Sequence, residues 1–216
     1  MRTLIILCFT FFVSISFAQP RVVTFGNEEE NSINQSTRQN ALKLNIFEFI
    51  SGDFSLYYER KLHEKISVEA GLGMTYVDIY GLIAYADILS PFDILIQPRM
   101  GFSYKISGRF YPIETFERVY VSPELKFRKY VWDRQIYQDF SPTQTTVSEE
   151  RTYFIPRLSI GYAVSYNNNL YFDWTLGIGI NSVSEIRYEN ETLELNHIVR
   201  NSRPRLHLGL KVGYIF

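Results

Sequence analysis

Histidine, cysteine and clustered carboxylates are the side chains best able to hold a metal or move a proton, and this chain offers few of them in company. Its three histidines, His63, His197 and His207, stand in separate segments, and its one cysteine, Cys8, lies in the amino-terminal apolar run. A transition-metal site needs several such ligands converging on one point, so neither a metal nor another cofactor is expected. The acidic run Glu28-Glu29-Glu30 could attract calcium, although a solvated leader is the simpler explanation. Gly71-Leu72-Gly73 and Gly177-Ile178-Gly179 fall inside alternating segments rather than at the start of a helix, so they are not phosphate loops.

The richer chemistry is charge placed at every second residue. Lys43, Glu59, Glu69, Lys105, Arg109, Glu124, Lys126, Arg128, Arg157, Asp173, Arg205, His207 and Lys211 share a parity with Gly and Ser, while large apolar residues hold the other. Successive strand residues face opposite sides of a sheet, so these side chains gather on one face. Bases outnumber acids there, which could bind an anion or steer one through. We favour a salt-bridged plug, because buried charges persist when paired and eight strands enclose little free bore.

The elements that must position this face are read from the alternation. The first run is Ala41 to Ile46, expected to continue to Phe49, and after a turn at Ser51-Gly52-Asp53 comes Phe54 to Glu59. Further runs are Ile66–Tyr76, Met100–Phe110, Val119–Arg128, Thr152–Tyr166, Leu170–Asn181 and Pro204–Phe216. Pro123 and Pro156 predict a bulge or weakened pairing. Links after the second, fourth and sixth runs are short. Those after the third, fifth and seventh are long, spanning Val77 to Gln97, Val131 to Arg151 and Ser182 to Arg203. Asp133 to Glu150 reads as exposed and mobile, His63 as a turn residue and His197 as a loop residue. Val77 to Ile96 is unusually apolar, and could form a short helix, extend its flanking strands, or add a hairpin that makes ten strands.

The amino terminus reads as an export signal: Met1-Arg2, an apolar run from Leu4 to Phe17, then Ser16-Phe17-Ala18 for the peptidase. The expected organisation is a cleaved signal peptide at 1–18, a flexible periplasmic leader at 19–39 and a β-barrel at 40–216. A formal charge of −1 gives no sign of a nucleic-acid partner, while 16 Tyr and 17 Phe favour strands. No later stretch is apolar enough for a transmembrane helix. A membrane location would therefore require a closed barrel.

Alternation does not say which face is outside, because a soluble lipocalin-like carrier of an apolar ligand has the same period. Glycines beside long charged side chains favour a crowded interior for the polar parity. Aromatics near strand ends, such as Tyr76, Phe110, Tyr166, Phe172, Tyr214 and Phe216, favour interfacial girdles on the other. The signal peptide, the alternating strands, the short and long links and the ending Leu210-Lys211-Val212-Gly213-Tyr214-Ile215-Phe216 resemble small outer-membrane β-barrels of the OmpA and OmpX type.

That resemblance implies an all-β, eight-stranded antiparallel up-and-down transmembrane β-barrel in the outer membrane. It implies contact with outer-membrane lipids and lipopolysaccharide, and an assembly signal at Leu210, Val212, Tyr214 and Phe216 for the barrel-assembly machinery. The long links are where an extracellular partner would be met. The chain has no room for the peptidoglycan-binding domain of OmpA itself. Barrel-type lipid A deacylases resemble serine hydrolases with a His-x-Ser pair, but His63, His197 and His207 are followed two places on by Lys65, Val199 and Gly209. A lipid-modifying enzyme therefore stays an alternative to the non-enzymatic structural or surface-interaction role that we expect.

Overall fold

The computed structural model describes residues 39–78, 96–137, 144–166, 169–188 and 195–216. The expected signal peptide, all but the last residue of the expected leader, and most of the apolar connection after the third strand lie outside the described residues.

Eight antiparallel strands run up and down in chain order: β1 (Asn40–Asn45), β2 (Asp53–His63), β3 (Ile66–Thr75), β4 (Ile96–Phe110), β5 (Arg118–Tyr137), β6 (Gln144–Tyr166), β7 (Leu170–Tyr188) and β8 (Leu195–Ile215). Each pairs with the next. β1 also pairs with β8, from Ala41↔Ile215 to Asn45↔Lys211, so one sheet comes round on itself in a ring. Following the registers from Leu44 through Leu56, Leu72, Tyr104, Phe127, Phe154 and Ser182 arrives at Ser202, ten positions from Val212, which Leu44 faces directly. Such a stagger tilts the strands against the ring axis, by roughly 35–45° in rings of this kind.

Alternation becomes sidedness in this ring. On β7, Tyr171 and Asp173 are fully buried, whereas Trp174, Leu176 and Ile178 are 41–62 % exposed. The polar parity faces inward on every strand and the apolar parity outward, which inverts the usual order of burial. Phe216 closes the seam from its own end. It accepts a 2.9 Å hydrogen bond from the Asn40 N–H and donates one of 2.8 Å to the Asn40 carbonyl.

Three expectations are corrected by these elements. β1 stops at Asn45 and does not reach Phe49, because the Asn45 side chain accepts a 3.2 Å bond from the Phe47 N–H and caps helix α1 (Ile46–Ile50). A capping side chain supplies the acceptor that a first-turn amide lacks. Gly52, with φ 74°, then turns the chain into β2.

Two of the three expected long links, after the fifth and seventh strands, are mostly strand. β5 and β6 stay paired from Arg118↔Ala163 to Tyr137↔Gln144 without a register shift, which removes most of the loop expected at Val131 to Arg151 and makes Asp133 to Glu150 largely sheet. β7 and β8 absorb most of Ser182 to Arg203 in the same way, so His197 belongs to a strand and not to a loop. In these extensions polar residues stand on both faces, so the apolar period that marks a strand is missing while the backbone ladder continues. His63, expected in a turn, is the last residue of β2.

The prolines weaken one ladder each rather than bulging the strand. Pro123 pairs with Leu158 on the β6 side, but on the β4 side no pair falls between Ser107↔Glu124 and Phe110↔Val121. Pro156 pairs with Leu125, and the β7 side skips from Phe154↔Ser182 to Arg157↔Gly179. A residue without an N–H serves only one neighbour well.

Candidate functional site

The interior of the ring is the place where the chain's titratable groups converge, and Glu69 is its centre. From β3 its carboxylate reaches Lys105 at 2.9 Å, Arg109 at 2.5 Å and Lys211 at 2.7 Å, and it also contacts Lys43. Asp173 on β7 receives Arg109 at 2.8 Å, with Lys43 at 3.6 Å and Lys211 at 3.8 Å. Glu59 on β2 takes Lys43 and, at 3.1 Å, Arg109. These cations and anions are 0–1 % exposed at the side chain, so each depends on the others for the solvation that water would have given.

Towards the α1 end a second cluster continues the first. Glu124 pairs with Lys105 at 3.0 Å and with Arg157. Lys126 sits 2.6 Å from Glu48 and 2.8 Å from Asp53, and Arg128 lies 2.6 Å from Asp53 and 3.1 Å from Glu48. Glu48 is the one inward side chain of α1, while Ile46, Phe47, Phe49 and Ile50 are exposed. Tyr57 joins the clusters: it donates to Glu48, accepts 2.9 Å from Lys126, and turns its ring to the ammonium groups of Lys105, Lys126 and Lys211 at 5.0–5.6 Å. Cations over an aromatic face are attracted to its quadrupole.

Tyrosines close the opposite end. Tyr111, Tyr120 and Tyr171 are fully buried with Ala41, Phe116, Ala163 and Ile215. Tyr111 donates 2.8 Å to Glu59 and Tyr120 donates to Asp173, so each ring is apolar towards the end and polar towards the charges. Phe116, at φ 69° in the β4–β5 turn, packs edge-on to Tyr171 at 5.9 Å. Left-handed backbone at a phenylalanine costs about 1–3 kcal/mol, and here it puts the ring under the ring of strands. Gly71 faces Tyr57 and Gly161 faces Tyr120 across their ladders, and a Cβ on either glycine would overlap the opposing ring. Gly71 and Gly161 make room for these tyrosines, while Gly179 makes room for Arg157.

Beyond the charge core, the extended halves of β5 to β7 carry a further network. Arg151 bonds Asp78 at 2.8 Å and Glu185 at 3.0 Å, Tyr153 donates 2.6 Å to Asp78, and Arg134 pairs with Glu149 at 2.7 Å. The strands read as loops hid these residues from sequence reasoning, although Arg128, Tyr130, Trp132 and Arg134 keep one parity. Glu48 and Asp53 were also missed, as was the inward role of Tyr57, Tyr111, Tyr120 and Tyr171. The Asn-to-helix cap at Asn45 and the parity that Tyr57 shares with Glu59 were the available signals.

Of the residues singled out by alternation, Lys43, Glu59, Glu69, Lys105, Arg109, Glu124, Lys126, Arg128, Arg157, Asp173 and Lys211 come together in this interior. Arg205 is exposed, and His207 is half-buried with Nε2 lacking a hydrogen-bond partner among the described residues. Leu210, Val212, Tyr214 and Phe216 lie on the outer face, with Tyr214 and Phe216 rings stacked at 6.4 Å. Glu48 and Asp53 offset the basic excess inferred from alternation. Every carboxylate of the core has a cation within ion-pair distance, so the arrangement stores charge rather than presenting a nucleophile beside a base. Among the described residues no group of His, Cys, Asp and Glu is placed to hold a metal. No protein-family model, curated protein or solved structure matches the chain.

Proposed function

We propose that the chain is a non-enzymatic, integral outer-membrane β-barrel whose lumen is filled by its own side chains, with a structural or surface-interaction role. The observation that carries this reading is the inverted burial: ion pairs without solvent inside, and an apolar band outside. On β7 that band runs from Leu170 to Ile180, about eleven residues against the nine to eleven that a tilted strand needs to cross a bilayer. Polar pairs border it on the outer face, Lys129 with Glu150 at 2.5 Å and Ser182 with Ser202 at 3.0 Å. Tyr76, Tyr166, Tyr214 and Phe216 stand exposed near strand ends, as interfacial girdles require.

A lipocalin-like carrier needs an apolar interior, and the interior here holds Glu69 and its four cations. A lipid-modifying barrel needs a base beside a nucleophile, and His207, on the inward parity, has Gly209 in the place a serine would take. In the proposed setting the extensions of β5 to β8 rise above the membrane, and the β5–β6 and β7–β8 hairpins are the surface offered to lipopolysaccharide or an extracellular partner. Export and the barrel-assembly machinery would deliver the chain to that membrane.

Membrane fractionation with heat-modifiable gel mobility tests the reading. The full chain is expected in the outer-membrane fraction, with a band that shifts on boiling. Recovery from the soluble periplasmic extract would favour the carrier instead, and altered lipid A acylation in a deletion strain would favour the enzyme.

A further inference from the structure

The apolar outer face is broken by a groove of about 880 Å³ that crosses the wall from Val68 on β3 to Pro204 on β8. Ile106, Leu125, Leu158 and Ile178 give it apolar walls, and Gly108, Pro123, Pro156 and Ile180 also line it. A Cβ on Gly108 would meet nothing within 4 Å, so the backbone there is open to the groove.

Two prolines leave two carbonyls of this groove without a ladder partner. In an antiparallel ladder the N–H and C=O of one residue turn to the same neighbouring strand, and that neighbour alternates from residue to residue. At the end of β4 the Tyr111 N–H donates 2.8 Å to the Lys65 carbonyl next to β3, so odd residues turn to β3 and Gly108 turns to β5. There Gly108 faces Pro123, in the register set by Ser107↔Glu124 and Phe110↔Val121. At the end of β8 Phe216 bonds Asn40, so even residues turn to β1 and odd ones to β7. Through Gly179↔Arg205 the odd residues of β7 turn to β8, which leaves Ile180 turned to β6 and facing Pro156. A proline has no N–H to give. Neither place forms a ladder pair, and among the described residues no other backbone N–H takes over. Hydrocarbon supplies no water to such acceptors, so a donor must come from whatever lies against the wall.

We infer that the groove binds one lipid of the surrounding leaflet whose acyl chains carry hydroxyl groups, the chains along the apolar walls and the hydroxyls donating to the Gly108 and Ile180 carbonyls. This rests on the membrane-spanning reading. A plain acyl chain would cover the walls but leave both acceptors unpaired, and a small alcohol would pair them but leave the walls bare.

The test is native mass spectrometry of the full chain folded in an amine-oxide detergent, which has no hydroxyl to compete. The chain is offered phosphatidylethanolamine with two 3-hydroxytetradecanoyl chains and the same lipid with plain tetradecanoyl chains. The hydroxylated lipid should be retained about three- to tenfold better, the worth of a net hydrogen bond. The double variant P123A/P156A returns both N–H groups to the ladder, so it should keep its heat-modifiable band and retain the two lipids alike. Gly108→Leu, which fills the open space, should weaken the preference too. Equal retention of the two lipids by wild type overturns the site, as does an undiminished preference in P123A/P156A. If that variant loses its heat-modifiable band, Gly108→Leu decides in its place, and a preference unchanged by the added side chain overturns the site. A chain that fractionates with the membrane but shows no preference refutes this site alone, whereas a chain in the soluble extract refutes the membrane reading itself.

Discussion

Glu69 on β3 accepts a 2.7 Å hydrogen bond from Lys211 on β8, a contact across the interior between residues 142 positions apart. Neither strand borders the other, so this pair ties opposite walls of the ring through its middle. Removing one member strands its partners in a place without water.

Glu69→Gln keeps the shape and removes the charge that Lys43, Lys105, Arg109 and Lys211 share. Breaking a buried network from one side costs about 3–5 kcal/mol, and urea unfolding in detergent micelles should show a loss of that order. Adding Lys211→Met should restore part of the loss, because contacting residues are not additive. Strict additivity of the two substitutions would argue against their contact.

Glu48 fastens α1 to the ring through Lys126 and Tyr57. Glu48→Gln is expected to loosen residues 46–50 while the strands stay paired, giving faster proteolysis near Phe47 and Phe49 with the heat-shifted band retained. Asn45→Ala, which removes the cap, should cost about 1 kcal/mol and show the same cleavage. An unchanged digestion pattern in both variants would mean that neither contact holds the helix.

Gly161 gives its space to the Tyr120 ring. Gly161→Val should lower the yield of folded protein, and a second change, Tyr120→Ala, should recover much of it by clearing the overlap. If the single variant folds as well as wild type, the Gly–Tyr packing is not a constraint.

Deleting Phe216 removes the hydrogen bonds with Asn40 and the residue that the resemblance marks for assembly. Outer-membrane recovery of the shortened chain should fall, while any molecules that do fold keep the heat-modifiable band. Normal recovery would falsify the assembly role.

A filled interior should not conduct. Planar bilayers containing the wild-type chain are expected to show no stable current steps, since tyrosines and ion pairs occupy the bore. Stable anion-selective steps would instead revive the steering role considered for the basic side chains.

Alternation by itself determined the all-β class and which parity carries charge, because a strand's period of two is written residue by residue. It placed Glu69, Lys211 and Asp173 on one face without any contact in view. It also set the start of β3 at Ile66 and the end of β6 at Tyr166. Only the tertiary structure decided which charges meet, because the stagger of ten positions brings Lys43, Glu69 and Lys211 together from strands whose separation along the chain says nothing of height. The tertiary structure likewise decided that β5 to β8 outrun the apolar band, since a ladder between polar faces leaves no apolar period to read. It decided that β1 gives way to α1, where a capping side chain at Asn45 outweighed the alternation continuing to Phe49. That early stop is what leaves Arg203 and Arg205 exposed on β8, a consequence of the strand they lack rather than of any residue they have.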